Sequence, residues 1–127
     1  NLVITTSQRS SFEDQLNALA FETYTLLTEC GATAGIHGAY PAWEPKFDTP
    51  LLKTAQDAYQ QVLGRMPEVK IIHAGLECGL FSKAMPSLNI ISFGPTLLGV
   101  HSPDERLNIA STNVMSHYLM HLLEKLS

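Results

Sequence analysis

The chain has 127 residues, 45% of them hydrophobic and 16% charged, which suits one ordinary domain or two fused partial ones. Its net charge is -4, with Lys and Arg scattered singly, so no basic stripe exists to follow a phosphate backbone and nucleic acid is excluded as a partner. No apolar run approaches the roughly 20 residues that cross a bilayer, which argues against membrane insertion by a helix.

Two cysteines, Cys30 and Cys78, fall in different expected elements without CxxC spacing, so a disulfide framework is not expected and a reducing cytoplasm is the default compartment. The chain opens on Asn1 and runs at once into LVITTS, with no initiator methionine and no polar lead-in. That opening is expected of part of a longer protein.

In chain order, Leu2 to Thr6 is rich in β-branched residues and predicts a strand, stopped by SQRSS. Ser10 and Glu13 stand at capping-box spacing, and Leu16, Leu19, Ala20, Tyr24, Leu26 and Leu27 then recur with helical period until Gly31. Residues 32–39, ATAGIHGA, form a weaker strand candidate because of their glycines. The first third is therefore expected to be β-α-β. YPAWEPKFDTP, residues 40–50, holds three prolines and is the best candidate boundary between domains.

Beyond it, Thr49 can cap a helix with Pro50 at its first position, an apolar face from Leu51 to Leu63, and Gly64 as the stop. VKIIHA (residues 69–74) and NIISF (89–93) predict strands covered on two faces, with a short helix at CGLFSKAM between them. Ser102 and Glu105 form a second capping box with Pro103 at the first helical position, so a last helix is expected from there through Leu107, Ala110, Val114, Tyr118 and Leu122 to the end. The later part reads α-β-α-β-α, a layered α/β pattern with too few strands to be complete.

Ligands of open α/β sheets bind beyond the carboxyl ends of the strands, which singles out two loops, HAGLECG (73–79) and GPTLLGVHS (94–102). Each combines glycines with a histidine. A glycine turn lets backbone N–H groups approach a carboxylate, and a histidine adds a metal ligand or a proton carrier. His101, just ahead of the expected helix start, would feel the positive end of the helix dipole, which disfavours the imidazolium and keeps a lone pair for a metal. A lone loop histidine is more often a surface or capping residue, so local sequence leaves both roles open. His73 reads as a structural histidine at a strand end. His37 lies in the doubtful strand, and His117 and His121 read as a solvated helix face because no HExxH glutamate stands between them. Serine-hydrolase elbow, phosphate-loop and dinucleotide signatures are all missing. Cys78, after Glu77, is either a nucleophile or an inert buried thiol. A catalytic zinc usually takes three protein ligands, and the chain offers no clustered His and Asp set, so co-ligands of His101 would lie elsewhere.

HAGLECGLF, ISFGPT and GVHSPDER, with YPAWEP about thirty residues before the first, together resemble the C-terminal part of the bacterial aminoacyl-histidine dipeptidases, or Xaa-His dipeptidases, a carnosinase-like family of two-zinc exopeptidases. The resemblance extends over essentially the whole chain. It implies a partial α/β fold: residues 1–40 as the closing β-α-β of a lid domain, and residues 41–127 as the C-terminal α-β-α-β-α part of the metallopeptidase catalytic domain. It implies that His101 is a zinc ligand, that Arg9 grips the substrate's carboxylate, and that Gly75 meets the same end of the substrate through its backbone. A guanidinium suits that task because its planar fork offers a carboxylate two parallel hydrogen bonds. Glu77 is not assigned as the base. The base, the remaining ligands and the bridging aspartate are expected in the N-terminal half of the same protein, so no catalytic residue is assigned in this chain. Asn89, where relatives are expected to carry aspartate, touches no assigned role.

The reaction implied is cytoplasmic hydrolysis of a dipeptide substrate such as β-alanyl-histidine, with two zinc ions as cofactors and closure of the lid over the substrate. On this reading the chain alone is inactive, and a homodimer of the complete protein is left open. The other reading open from sequence is a self-sufficient binding or dimerisation module whose glycine loops are purely structural.

Overall fold

The computed structural model describes residues 2–72 and 77–127. Its elements are α1 (Glu13–Glu29), α2 (Pro50–Leu63), α3 (Glu77–Ala84), β1 (Leu97–Leu98), β2 (Arg106–Leu107) and α4 (Ile109–Leu126). Over the described residues the chain is a partial α/β structure of helices with one small sheet, in which β1 and β2 pair antiparallel with Leu97 opposite Leu107. Two compact units form, Asn1–Lys46 with Lys70–Leu88 and Phe47–Val69 with Asn89–Ser127.

In the first unit, Glu13 and Asp14 occupy the first turn of α1, where carboxylates favour the positive helix end. The expected capping box does not form. Phe12 is the N-cap, without a side-chain cap, and Ser10 spends its hydroxyl on Phe12 N–H at 3.1 Å and on Gln15 Oε1 at 3.0 Å. The other end closes as expected: Gly31 takes φ 80°, its N–H reaches Thr28 O and Ala32 N–H reaches Leu27 O, the paired bonds of a Schellman turn. Glu13 then ties the 40s segment to α1, its Oε2 accepting from Ala42 N–H at 2.9 Å. α3 packs over the same segment at Gly79, where a side-chain carbon would stand 2.5 Å from Pro41 O. Only a glycine admits that approach.

The second unit holds the core. α2 starts with Thr49 Oγ1 accepting from Leu52 N–H at 3.2 Å, has Pro50 at its first position, and stops at Gly64 with φ 72°. Ala55 and Ala58 are buried and small, so α4 approaches closely and lays Tyr118 and Leu122 across them. Tyr118 is 3% exposed; it donates its hydroxyl to Ala55 O at 3.2 Å and meets Tyr59 and Phe93 edge to face at 5.4 and 4.7 Å. Burial, and next the neighbouring Tyr59, push its phenol above the ordinary tyrosine range.

Three expectations need correction. Residues 2–6, 32–39, the described part of 69–74, and 89–93 carry no ladder, and among the described residues β1 with β2 is the sheet. A strand is completed by a ladder of hydrogen bonds to a neighbouring strand, and none of these segments joins a ladder among the described residues. NIISF nonetheless sends Ile91 and Phe93 onto the α2–α4 core. The last helix begins at Ile109 and not at Pro103, with Asn108 as N-cap accepting from Ser111 N–H at 2.9 Å. Ser102 to Glu105 form a turn instead, Glu105 N–H bonding Ser102 O at 3.1 Å with Pro103 second in the turn, where its fixed φ belongs.

Candidate functional site

His101 sits in the loop between β1 and β2. That hairpin stands on the start of α4: Asn108 N–H donates to Thr96 O at 3.0 Å, Thr96 N–H donates to Ser111 Oγ at 2.9 Å, and Ser111 Oγ donates to Asn108 O at 2.8 Å. Within the loop, Ser102 N–H bonds Gly99 O at 3.1 Å, closing a β-turn in which His101 holds the third position. Its φ is 64°, the one positive value at a non-glycine among the described residues. Gly or Asn normally takes such a position, since a β-carbon there crowds the backbone at a cost of roughly 1–2 kcal/mol.

Further bonds hold the conformation. Ser102 Oγ donates to Gly99 O at 2.7 Å and accepts from Asp104 N–H at 3.3 Å, while Glu105 Oε2 accepts from the N–H of His101 at 2.9 Å. Gly99, at φ 62°, has Asp104 O 3.0 Å from where a side chain would begin. His101 is exposed, and no described residue hydrogen-bonds its ring. The dipole of α4 does not set His101, because α4 starts eight residues later; what sets His101 is the turn.

Arg9 is exposed in the first unit, just ahead of α1, and His101 belongs to the second. Gly75 and His73 lie outside the described residues. His121 is occupied within the fold, Nε2 meeting Gln61 Oε1 at 2.8 Å and Nδ1 lying 3.6 Å from Glu124 Oε2, so the His117 and His121 pair is a helix face and not a metal site. Burial, opposed by a backbone hydrogen bond and reinforced by Glu77, raises the Cys78 thiol above its ordinary range, the reverse of what a nucleophilic thiolate needs. Among the described residues no three His, Cys, Asp or Glu side chains converge to hold a metal. An exposed imidazole whose ring no described residue hydrogen-bonds fits one position in a zinc shell, so the other ligands would have to come from outside the described residues. Sequence reasoning missed Ser102 and Glu105 as holders of the loop. The signal was present, since Ser-Pro-Asp is as much a turn sequence as a cap sequence.

The model of peptidase family M20/M25/M40 matches residues 12–125. The chain belongs to this peptidase family. It is 44% identical over 96 residues to the cytosol non-specific dipeptidase of Escherichia coli (strain K12), an alignment covering 76% of this chain and 19% of that protein. It also resembles the crystal structure of aminoacylhistidine dipeptidase from Vibrio alginolyticus, with a TM-score of 0.74 and 34% identity over 91% of this chain and 24% of that one. The chain thus spans about a fifth to a quarter of the length of these M20/M25/M40 relatives. No helix of the described residues is long and apolar enough to cross a membrane.

Proposed function

We propose that the chain is the C-terminal part of a cytoplasmic zinc-dependent dipeptidase that hydrolyses Xaa-His dipeptides such as β-alanyl-histidine, and that it is inactive without the N-terminal half of the same protein. The observation that carries this reading is His101 at φ 64° in a turn that glycine would fill more easily. Strain of this kind persists where the surroundings over-determine it, and is a pointer to function. His101 would hold zinc through its ring, and bound zinc would supply an activated water and a polarised carbonyl. Arg9 would take the substrate carboxylate and Gly75 would meet the same end through its N–H. Residues 1–40 are assigned to the lid and 41–127 to the catalytic domain. The likeness to two dipeptidases supports the enzyme reading over a self-sufficient binding module.

The need for the rest of the protein is supported by α4. Besides the face on α2 its later turns carry a second apolar stripe, Leu119, Met120 and Leu123, with Met120 60% exposed. A stripe of that size ordinarily marks a surface that something covers.

The test is the complete protein and its His101→Asn variant, since Asn tolerates the left-handed backbone while losing the imidazole. Zinc content and turnover of β-alanyl-histidine should both fall, with the unfolding midpoint kept. A variant retaining full zinc and full turnover would refute the ligand role. Equal turnover of dipeptides without histidine would refute the specificity, and turnover by the 127-residue chain alone would refute its dependence on the rest of the protein.

A further inference from the structure

We propose that Glu105 is a positioning residue for His101, setting the metal-facing imidazole through the backbone and not through charge. The proposal rests on His101 being a zinc ligand. Glu105 holds the loop from two sides: its own N–H closes the Ser102 turn at 3.1 Å, and its side chain folds back so that Oε2 accepts the N–H of His101 at 2.9 Å. That second bond falls on the residue with the unfavourable φ of 64°. Rotation about φ turns the Cα–Cβ bond of His101 relative to its N–H, so Glu105 Oε2 holds the peptide plane before His101 while Ser102 N–H on Gly99 O at 3.1 Å holds the plane after it, and the two anchors together fix the direction in which the ring leaves the backbone.

The geometry separates two ways in which a carboxylate next to a cation site can act. If Glu105 acts by charge, a neutral amide abolishes its effect. If it acts by accepting the His101 N–H, an amide oxygen of the same reach preserves it. Ser102 does not duplicate this bond, since its hydroxyl is committed to Gly99 O and Asp104 N–H. Removing the carboxylate therefore leaves the turn closed but lets His101 leave the left-handed region.

The experiment uses the complete enzyme and reads zinc affinity by competition with a chromophoric chelator, alongside amide exchange at His101. E105A should weaken the zinc that His101 holds by about 10- to 100-fold, the usual effect of losing a group that orients a metal ligand. It should also speed exchange of the His101 amide while leaving the unfolding midpoint unchanged. E105Q should stay near the parent in both. In an H101N background E105A should have no further effect on zinc, because Glu105 acts only through His101. The proposal is overturned by E105A matching the parent, by E105Q falling as far as E105A, or by E105A costing the same with His101 replaced. If H101N holds zinc as the parent does, the ligand assignment itself fails and this proposal with it, a pattern distinct from the other three.

Discussion

Replacing Tyr118 tests how the second unit is held together. In Tyr118→Phe the ring stays between Tyr59 and Phe93, and only the hydroxyl's bond to Ala55 O at 3.2 Å is lost. That carbonyl lies mid-helix in α2 and keeps its own helical partner, so no acceptor is orphaned and the cost should be about 0.5–1 kcal/mol. Tyr118→Ala removes both edge-to-face contacts and leaves a void over Ala55 and Ala58, for which about 3–5 kcal/mol is expected, a large share of the roughly 5–15 kcal/mol that holds a domain. The phenol also predicts a pH dependence. Its folded-state pKa is raised, by burial first and by Tyr59 second, so the folded state binds that proton more tightly than the unfolded chain. The contribution is complete below the unfolded value of about 10 and is lost as pH rises through the folded value. Urea unfolding at low protein concentration, followed by the helical circular dichroism, should show the parent losing stability more steeply than Tyr118→Phe above pH of about 10. Parallel losses in the two proteins, or a Phe variant as unstable as the Ala variant, would refute the reasoning.

Three further expectations follow from single contacts. Gly79→Ala would ordinarily stabilise a helix, yet its new carbon lands 2.5 Å from Pro41 O, so unfolding should show a loss of about 1–3 kcal/mol; a gain would mean that α3 and the 40s segment are not packed this way. Asn108→Ala should cost about 1 kcal/mol and speed amide exchange at Ser111, because Asn108 Oδ1 caps α4 there; unchanged exchange would remove the cap from the account. The 127-residue chain should self-associate in sedimentation velocity, and Met120→Lys with Leu123→Lys should disperse it, since these residues lie on the uncovered stripe of α4; a monodisperse parent monomer would count against that stripe needing cover.

What could be foreseen divides by the range of the interaction responsible. α2 was legible at both ends because Thr49, Pro50 and Gly64 act within a few residues of where they stand, and the glycine stop of α1 at Gly31 is equally local. α3 was also foreseen at CGLFSKAM. The segments expected as strands share the right composition, but a strand is completed by a neighbour that composition does not supply. The two capping boxes failed for a related reason. Ser-x-x-Glu places a hydroxyl and a carboxylate where they can serve a helix start, yet the same groups serve a turn, and at Ser10 and Ser102 the hydroxyl accepts instead from the N–H two residues on, at Phe12 and Asp104.

At the candidate site the residue was legible while its cause was not. His101 was singled out as standing before a helix, with the dipole as its tuning device; the structure replaces the dipole with a turn that holds the backbone left-handed. The difference matters for which substitutions reach the site. A dipole effect would be felt along the first turn of α4, whereas the turn depends on Gly99, Ser102 and Glu105, none of which lies in α4. α4 enters only at its edge, where Asn108 and Ser111 anchor the base of the hairpin. Changes farther along α4 should therefore weaken the core without redirecting His101, and changes at Gly99 or Glu105 should redirect His101 without weakening the core.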